Sequence, residues 1–317
     1  MRTDQALTNQ DGAVRVPGYE VLVRTFLSGR SPRTLAAYSQ DLQTFSQYLG
    51  VADPEEAARE LLAHGPGRAN LVALNYRSHL MERRLAPATI NRRLAALRSL
   101  VALARTLGMI GWSLEVRNVK SEPYRDTRGP GTSGVRDMLD VTNARNDPKG
   151  IRDRAIVRAL FDLALRRGEL VSLDLEDLDL KARTLRVIGK GLAEKMVLTI
   201  PEKTAEALAV WLGIRGISPG PLFTNFDHAR KGDGRLSGRS VHRIVKSLGD
   251  QVGLTTRPHG IRHTSVTEAV KRAQTSGIGL EEVMQFSRHK DVKTLLVYRD
   301  ADRDVQGTLA DLVSQAV

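Results

Sequence analysis

Residues 257–266 read RPHGIRHTSV, which places two histidines and two arginines close together in a 317-residue chain that has only 7 histidines. With Pro258 in the first turn of a helix, His259, Arg262 and His263 fall at i, i+3 and i+4 and share one face. Two histidines one turn apart suit zinc, but the general-base glutamate of an H-E-x-x-H site is missing, and Arg262 sets a permanent cation beside the metal position. A helix N-terminus that carries imidazoles and a guanidinium favours an anion instead, phosphate above all. Simple capping and packing is the third reading of the stretch.

The bulk properties bear on that choice. The formal net charge is +12, and the excess is divided between the two halves of the chain, so both could face one polyanion. A basic balance suits nucleic acid or an anionic membrane surface, because released counterions drive such binding; a merely solvated basic surface accounts for it as well. No apolar run is long enough to span a bilayer, and residues 1–17, MRTDQALTNQDGAVRVP, lack the apolar core of a signal peptide. The expectation is a soluble, cytoplasmic protein without membrane association. With no cysteine in the chain, disulfides, thiolate zinc ligands and cysteine nucleophiles are excluded.

The length suits two domains. Residues 1–18 read as a flexible tail, and from Tyr19 the pattern turns helical. SPRTLAAYSQDLQTFSQYL opens on Ser31 as N-cap and Pro32 at N1, then spaces Leu35, Tyr38, Leu42, Phe45 and Leu49 along one stripe. LVALNYRSHLMERR and APATINRRLAALRSLVALARTLGMI give two further helices, so residues 19–119 are expected to be all-α. Residues 120–134, KSEPYRDTRGPGTSG, carry prolines and glycines that mark an interdomain linker. Beyond it, IRDRAIVRALFDLALRRGELVSL predicts a long helix, and LEDLDL, TLRVIG and EKMVLTI predict a three-stranded antiparallel meander. Helices return at KTAEALAVWLGI, at SGRSVHRIVKSLGDQVG and from Pro258 onward. The fold class is therefore mainly α, with a small antiparallel sheet in the second domain.

Three other motifs accompany the opening stretch. ALRRGEL holds Arg166 with Glu169 close by, VIGKGLAEKMVLTIP sets Lys190 in a glycine-flanked turn, and FSRHKDVKTLLVY carries His289 and Tyr298, the sole tyrosine after Tyr124. Singly, each has an ordinary structural explanation. In this order and spacing they resemble the tyrosine recombinase, or phage integrase, family in its Xer-like two-domain form. The likeness runs from about residue 135 to Tyr298, and the SPRTLAAYSQDLQTF and ATINRRLAALRSL segments resemble the family's core-binding domain.

The resemblance implies an α-helical core-binding domain at 19–119 and a mostly helical catalytic domain at 135–317, ending in an exchange helix at about 303–317. It implies cleavage and rejoining of DNA at specific sites through a 3′-phosphotyrosyl intermediate, without metal or other cofactor. The family's first arginine falls on Arg166, its turn lysine on Lys190, its H-x-x-R pair on His259 and Arg262, its late histidine on His289 and its nucleophile on Tyr298. Glu169 and His263 are expected to orient these groups, and Arg92, Arg93 and Arg98 to contact DNA. The implied partners are double-stranded DNA with specific recombination sites and three further subunits, as a homotetramer or a heterotetramer with a paralogue. A type IB topoisomerase, a telomere resolvase and a non-cutting DNA-binding regulator are the alternatives. Ala164 stands where the family usually has glycine, and Ser287-Arg288 where it has Leu-Gly; Arg288 is thus expected to alter phosphate contacts or a subunit interface.

Overall fold

A computed structural model describes residues 18–120, 129–189, 194–226 and 234–289, together with residues 291, 292, 295, 298, 310, 311 and 313–315. The chain divides into two compact units, Met1–Tyr124 and Arg125–Val317.

The regular elements described in the first unit are all helices: α1 Tyr19–Leu27, α2 Pro32–Leu49, α3 Pro54–Leu62, α4 Gly65–Glu82 and α5 Pro87–Thr106. Ser31 caps α2 as its position predicts, accepting the Thr34 N–H at 3.3 Å, and Leu42 and Phe45 go into the core while Leu35 stays exposed. The periodicity reading passed over α3. Asp53 caps it by accepting the Glu56 N–H at 2.8 Å, and its short apolar face, Ala57, Ala58, Leu61 and Leu62, completes the core beneath α1 and α2.

The second unit begins inside the stretch expected to be linker. Helix α6, Gly131–Asn143, includes Gly134, where a Cβ would come within 2.5 Å of the Leu254 side chain. That glycine serves close packing, and it does not break the helix. Helix α7 spans Pro148–Asp162 with Asp147 as N-cap, and the predicted single long helix then stops. Ala164 takes φ 45°, a left-handed backbone that costs an L-residue about 1 kcal/mol. The chain turns there and re-enters helix as α8, Arg167–Val171.

The meander forms in the expected order, β1 Leu178–Asp179, β2 Thr184–Ile188 and β3 Lys195–Thr199, antiparallel throughout. Its first strand is only two residues long, because Leu175–Asp177 winds into a 3-10 turn. Asp177 holds that turn by accepting the Asp174 N–H at 3.1 Å and Lys195 Nζ at 2.5 Å. Leu185 and Val187 of β2 point into the main core with Trp211 of α9, Glu202–Arg215. Helices α10, Gly238–Gln251, α11, Pro258–Thr275, and α12, Leu280–Ser287, complete the unit. A second, smaller core joins Ala164 to Val266 and Val270 of α11, Val283 of α12, Leu295 and Tyr298. No helix among the described residues is long and apolar enough to cross a membrane.

Candidate active site

The turn after α7 begins the site. Arg166 precedes α8 in extended backbone, and Glu169, in the first turn, holds it twice. Glu169 Oε2 accepts the Arg166 backbone N–H at 2.8 Å, and Oε1 accepts Arg166 Nη1 at 2.6 Å. Arg166 Nη2 donates to the Arg288 carbonyl at 2.9 Å, which ties α8 to the end of α12. Glu169 therefore holds both the backbone and the guanidinium of Arg166.

Helix α11 starts at Pro258, and its i, i+3, i+4 pattern sends Arg262 and His263 inward. Arg262 is 1% exposed. Its Nη1 donates to the Ala164 carbonyl and its Nη2 to the Ser287 carbonyl, with Nη2 also 3.3 Å from His289 Nε2. A guanidinium has no lone pair to offer, so that contact requires an unprotonated Nε2 and leaves the neutral ring's proton on Nδ1. Nδ1 is covered and has no hydrogen-bond partner among the described residues.

The Tyr298 ring packs against two imidazoles, its centroid 4.6 Å from His263 and 5.7 Å from His289. His263 is buried, and its Nδ1 lies 3.4 Å from Thr267 Oγ1. The two histidines of the opening stretch thus part company: His263 packs beneath the tyrosine, and His259 stays exposed in the first turn of α11. Among the described residues, no three His, Asp or Glu side chains are grouped to hold a metal ion.

Burial and crowded positive charge set the protonation states. Arg262 is pushed down to about 10, first by burial and then by Arg166 and Arg288. His289 is pushed down to about 4 by burial and then by Arg262 and Arg166. His259, though its surface stays open, is lowered too, by partial desolvation of its ring and then by Arg262, Arg257 and Arg166. The His289 imidazole is thereby neutral at pH 7. Burial raises the Tyr298 phenol, outweighing the pull of Arg262 and Arg166 toward the phenolate. Burial also pushes Glu169 upward, but the Arg166 N–H and the charges of Arg288 and Arg166 outweigh it and hold the carboxyl below its usual range. The result is a pocket with three guanidiniums and one carboxylate, which favours a bound anion.

The fold thus brings together Arg166, Glu169, Arg262, His263, His289 and Tyr298 from three separate stretches. Lys190 lies outside the described residues; the strands on either side, β2 ending at Ile188 and β3 beginning at Lys195, pair with each other. In the first unit, Arg92 donates to the Ala37 carbonyl and to Asp41 at 2.5 Å, Arg93 lies 3.7 Å from Asp41, and Arg98 donates to the Val116 carbonyl and Asn118. Arg92, its side chain 40% exposed, keeps the most open surface of the Asp41 pair.

Arg288, expected to alter phosphate contacts or a subunit interface, lies inside its unit. Its guanidinium is directed inward, 4% exposed, onto the carbonyls of Leu163, Ala164 and Phe286 and onto Glu169. The signal for this lay in its place directly after a helix, where φ is 55° and a glycine would fit without strain.

The family model described as the phage integrase family matches residues 133–304. A tyrosine recombinase of Synechococcus elongatus is 37% identical over 299 residues, covering 92% of both chains. One of Synechocystis is 34% identical over 291 residues, covering 90% of this chain and 91% of its own. Among solved structures, the XerH site-specific recombinase bound to palindromic difH substrate aligns with a TM-score of 0.67 at 16% identity, covering 94% of this chain and 85% of that one; this likeness is one of fold.

Proposed function

The chain belongs to the phage integrase family and is accordingly a DNA-breaking and rejoining enzyme of the tyrosine recombinase kind, and we propose that Arg166, Arg262 and His289 act on one DNA phosphodiester while Tyr298 attacks its phosphorus. The observation that carries this reading is the convergence of two arginines, a neutral histidine and a buried tyrosine at a junction of α8, α11 and α12.

Arg166 and Arg262 bind the two non-bridging oxygens, where their fork geometry and charge oppose the negative charge that builds up in the transition state. His289 offers its Nδ1–H to the same phosphate. The phenol, held above its ordinary pKa in the free protein, loses its proton as attack proceeds, with His259 assisting the transfer. Its oxygen forms the 3′-phosphotyrosyl bond while the 5′-oxygen leaves with a proton from Lys190. Rejoining reverses these steps: a 5′-hydroxyl attacks the phosphotyrosyl ester and the phenol departs. The ester stores the bond energy, so no external energy source is needed.

In this reading the first unit is the core-binding domain, with Arg92, Arg93 and Arg98 facing the duplex. Four subunits act on two specific sites inside the cell. The segment 303–317, whose described residues include the helical Ala310, Asp311, Val313 and Ser314, serves as the exchange element between them.

The test uses nicked duplexes carrying the gene's flanking sequence. A protein–DNA adduct that survives SDS and forms equally in EDTA is expected from the wild type, and none from Tyr298→Phe with DNA affinity retained. An adduct from Tyr298→Phe at wild-type yield would remove that residue from the nucleophile's role.

A further inference from the structure

Arg288 occupies a backbone conformation that glycine adopts freely and arginine does not, with φ 55° and ψ 39°. Its side chain is not left in solvent, where it would be dispensable. Nη1 donates to the carbonyls of Leu163 and Phe286, each at 3.0 Å, and Nη2 donates to the Ala164 carbonyl at 2.7 Å and to Glu169 Oε2 at 3.1 Å. These contacts span the turn between α7 and α8, which is itself held in left-handed backbone at Ala164.

Two of those partners, Glu169 and the Ala164 carbonyl, also serve an arginine of the active site. Glu169, which Arg288 holds through Oε2, holds Arg166 through Oε1. The Ala164 carbonyl accepts from both Arg288 and Arg262. The Arg288 carbonyl takes the other arm of Arg166 at 2.9 Å. The guanidinium of Arg288 is covered, 4% exposed, yet it shares an acceptor with each of the two arginines assigned to the phosphate.

We propose that Arg288 is a positioning residue: it straps the α7–α8 turn to the end of α12 and so fixes the planes of Arg166 and Arg262 before DNA arrives. This deepens the reading of the same site and rests on it. A strap of this kind acts on the chemical step, because misplacing a clamp by even an ångström can cost about a hundredfold in rate. It does not touch DNA and leaves affinity alone.

The test compares Arg288→Gly, which accepts φ 55° without strain, and Arg288→Lys, which keeps the charge but loses the fork. On nicked duplex at saturation, Arg288→Gly is expected to form adduct about a hundredfold more slowly, with a DNA Kd within about threefold of wild type. Guanidinium ion at sub-denaturing concentration should restore much of that rate in Arg288→Gly and none in Arg288→Lys. Combining Arg288→Gly with Arg166→Ala should cost less than the product of the two single rate losses, since part of the Arg288 effect runs through Arg166 and the rest through Arg262. Normal cleavage by Arg288→Gly, or full additivity with Arg166→Ala, overturns the proposal. If Arg288→Gly fails to fold, Arg288→Lys decides by the same rate, and normal cleavage by it overturns the strap. Hydrogen exchange over residues 163–169 provides a readout that needs no cleavage. Faster exchange there in either variant supports the strap even if wild type makes no adduct and the catalytic reading fails; unchanged exchange refutes it.

Discussion

Both units gather arginines around one buried carboxylate, and they do so to opposite effect. In the first, Asp41 sits between Arg92 and Arg93, and burial lifts its pKa despite both cations. In the second, Glu169 sits between Arg166 and Arg288 with Arg262 beyond, and its pKa is lowered although burial works against it. The Asp41 cluster is a conventional ion-pair cluster joining α2 to α5. The Glu169 cluster holds more positive charge than its carboxylate can balance, and main-chain carbonyls of Leu163, Ala164, Phe286, Ser287 and Arg288 position the surplus. Hydrogen bonds to carbonyls orient a guanidinium without neutralising it. Charge held this way, with His289 pushed down to about 4 beside it, remains available to a bound anion.

The sharpest way to break this contrast is Arg262→Ala. Removing a preorganised donor to the developing charge should slow adduct formation by about a thousandfold, whereas Arg92→Ala should weaken DNA binding and leave the rate at saturation nearly intact. Single-turnover cleavage on the nicked duplex separates the two, and equal rate losses would erase the distinction.

Stability sharpens it next. Asp41→Ala should cost about 1–3 kcal/mol in urea unfolding, since it removes the buried acceptor that Arg92 donates to. The two carboxylates should also show opposite pH signatures. The stability Glu169 contributes is present above its unfolded pKa and is lost as pH falls through its lowered folded value. For Asp41 the contribution is present below the unfolded pKa and is lost as pH rises through its raised folded value. Carboxyl-carbon NMR titration should place Glu169 below the usual range and Asp41 above it; the reverse order would contradict the account.

His289 offers a subtler check. In the free protein its imidazole should titrate near pH 4, so the stability tied to its neutral form is complete above about 6.5 and declines as pH falls toward 4. A bound phosphate should raise that value by offsetting the arginines. A free-protein titration near the ordinary histidine value would mean that the surplus charge does not reach it.

The smallest effect belongs to Ala164→Gly. Relief of the left-handed backbone, about 1 kcal/mol, is set against a buried methyl worth about 0.8 kcal/mol and a freer unfolded chain. The net change in unfolding free energy should stay within about 1 kcal/mol either way.

Much of this was legible in residue spacing. Ser31 and Pro258 marked helix starts, the β2–β3 pairing followed from alternation, and the order of Arg166, His259, Arg262, His289 and Tyr298 carried the family. What spacing could not convey was main-chain geometry. LFDLALRRGEL has the periodicity of one helix, and the turn at Ala164 arises from carbonyls captured by Arg262 and Arg288, residues about a hundred positions away. Gly134 read as a breaker because a glycine's local propensity is visible in sequence, while the Leu254 side chain packed against it is not. The inward course of Arg288 depends on the same long-range partners.

The central claim is that Arg262 works on the charge of the scissile phosphate, and a methylphosphonate at the scissile position tests it most directly. Replacing one non-bridging oxygen by methyl removes the negative charge the guanidinium opposes. The account predicts that the Arg262→Ala defect, about a thousandfold on the natural linkage, shrinks to about tenfold or less on the stereoisomer that places the methyl toward residue 262, while Tyr298→Phe stays inert on both. An Arg262→Ala defect of equal size on the phosphate and on both methylphosphonate stereoisomers would contradict it.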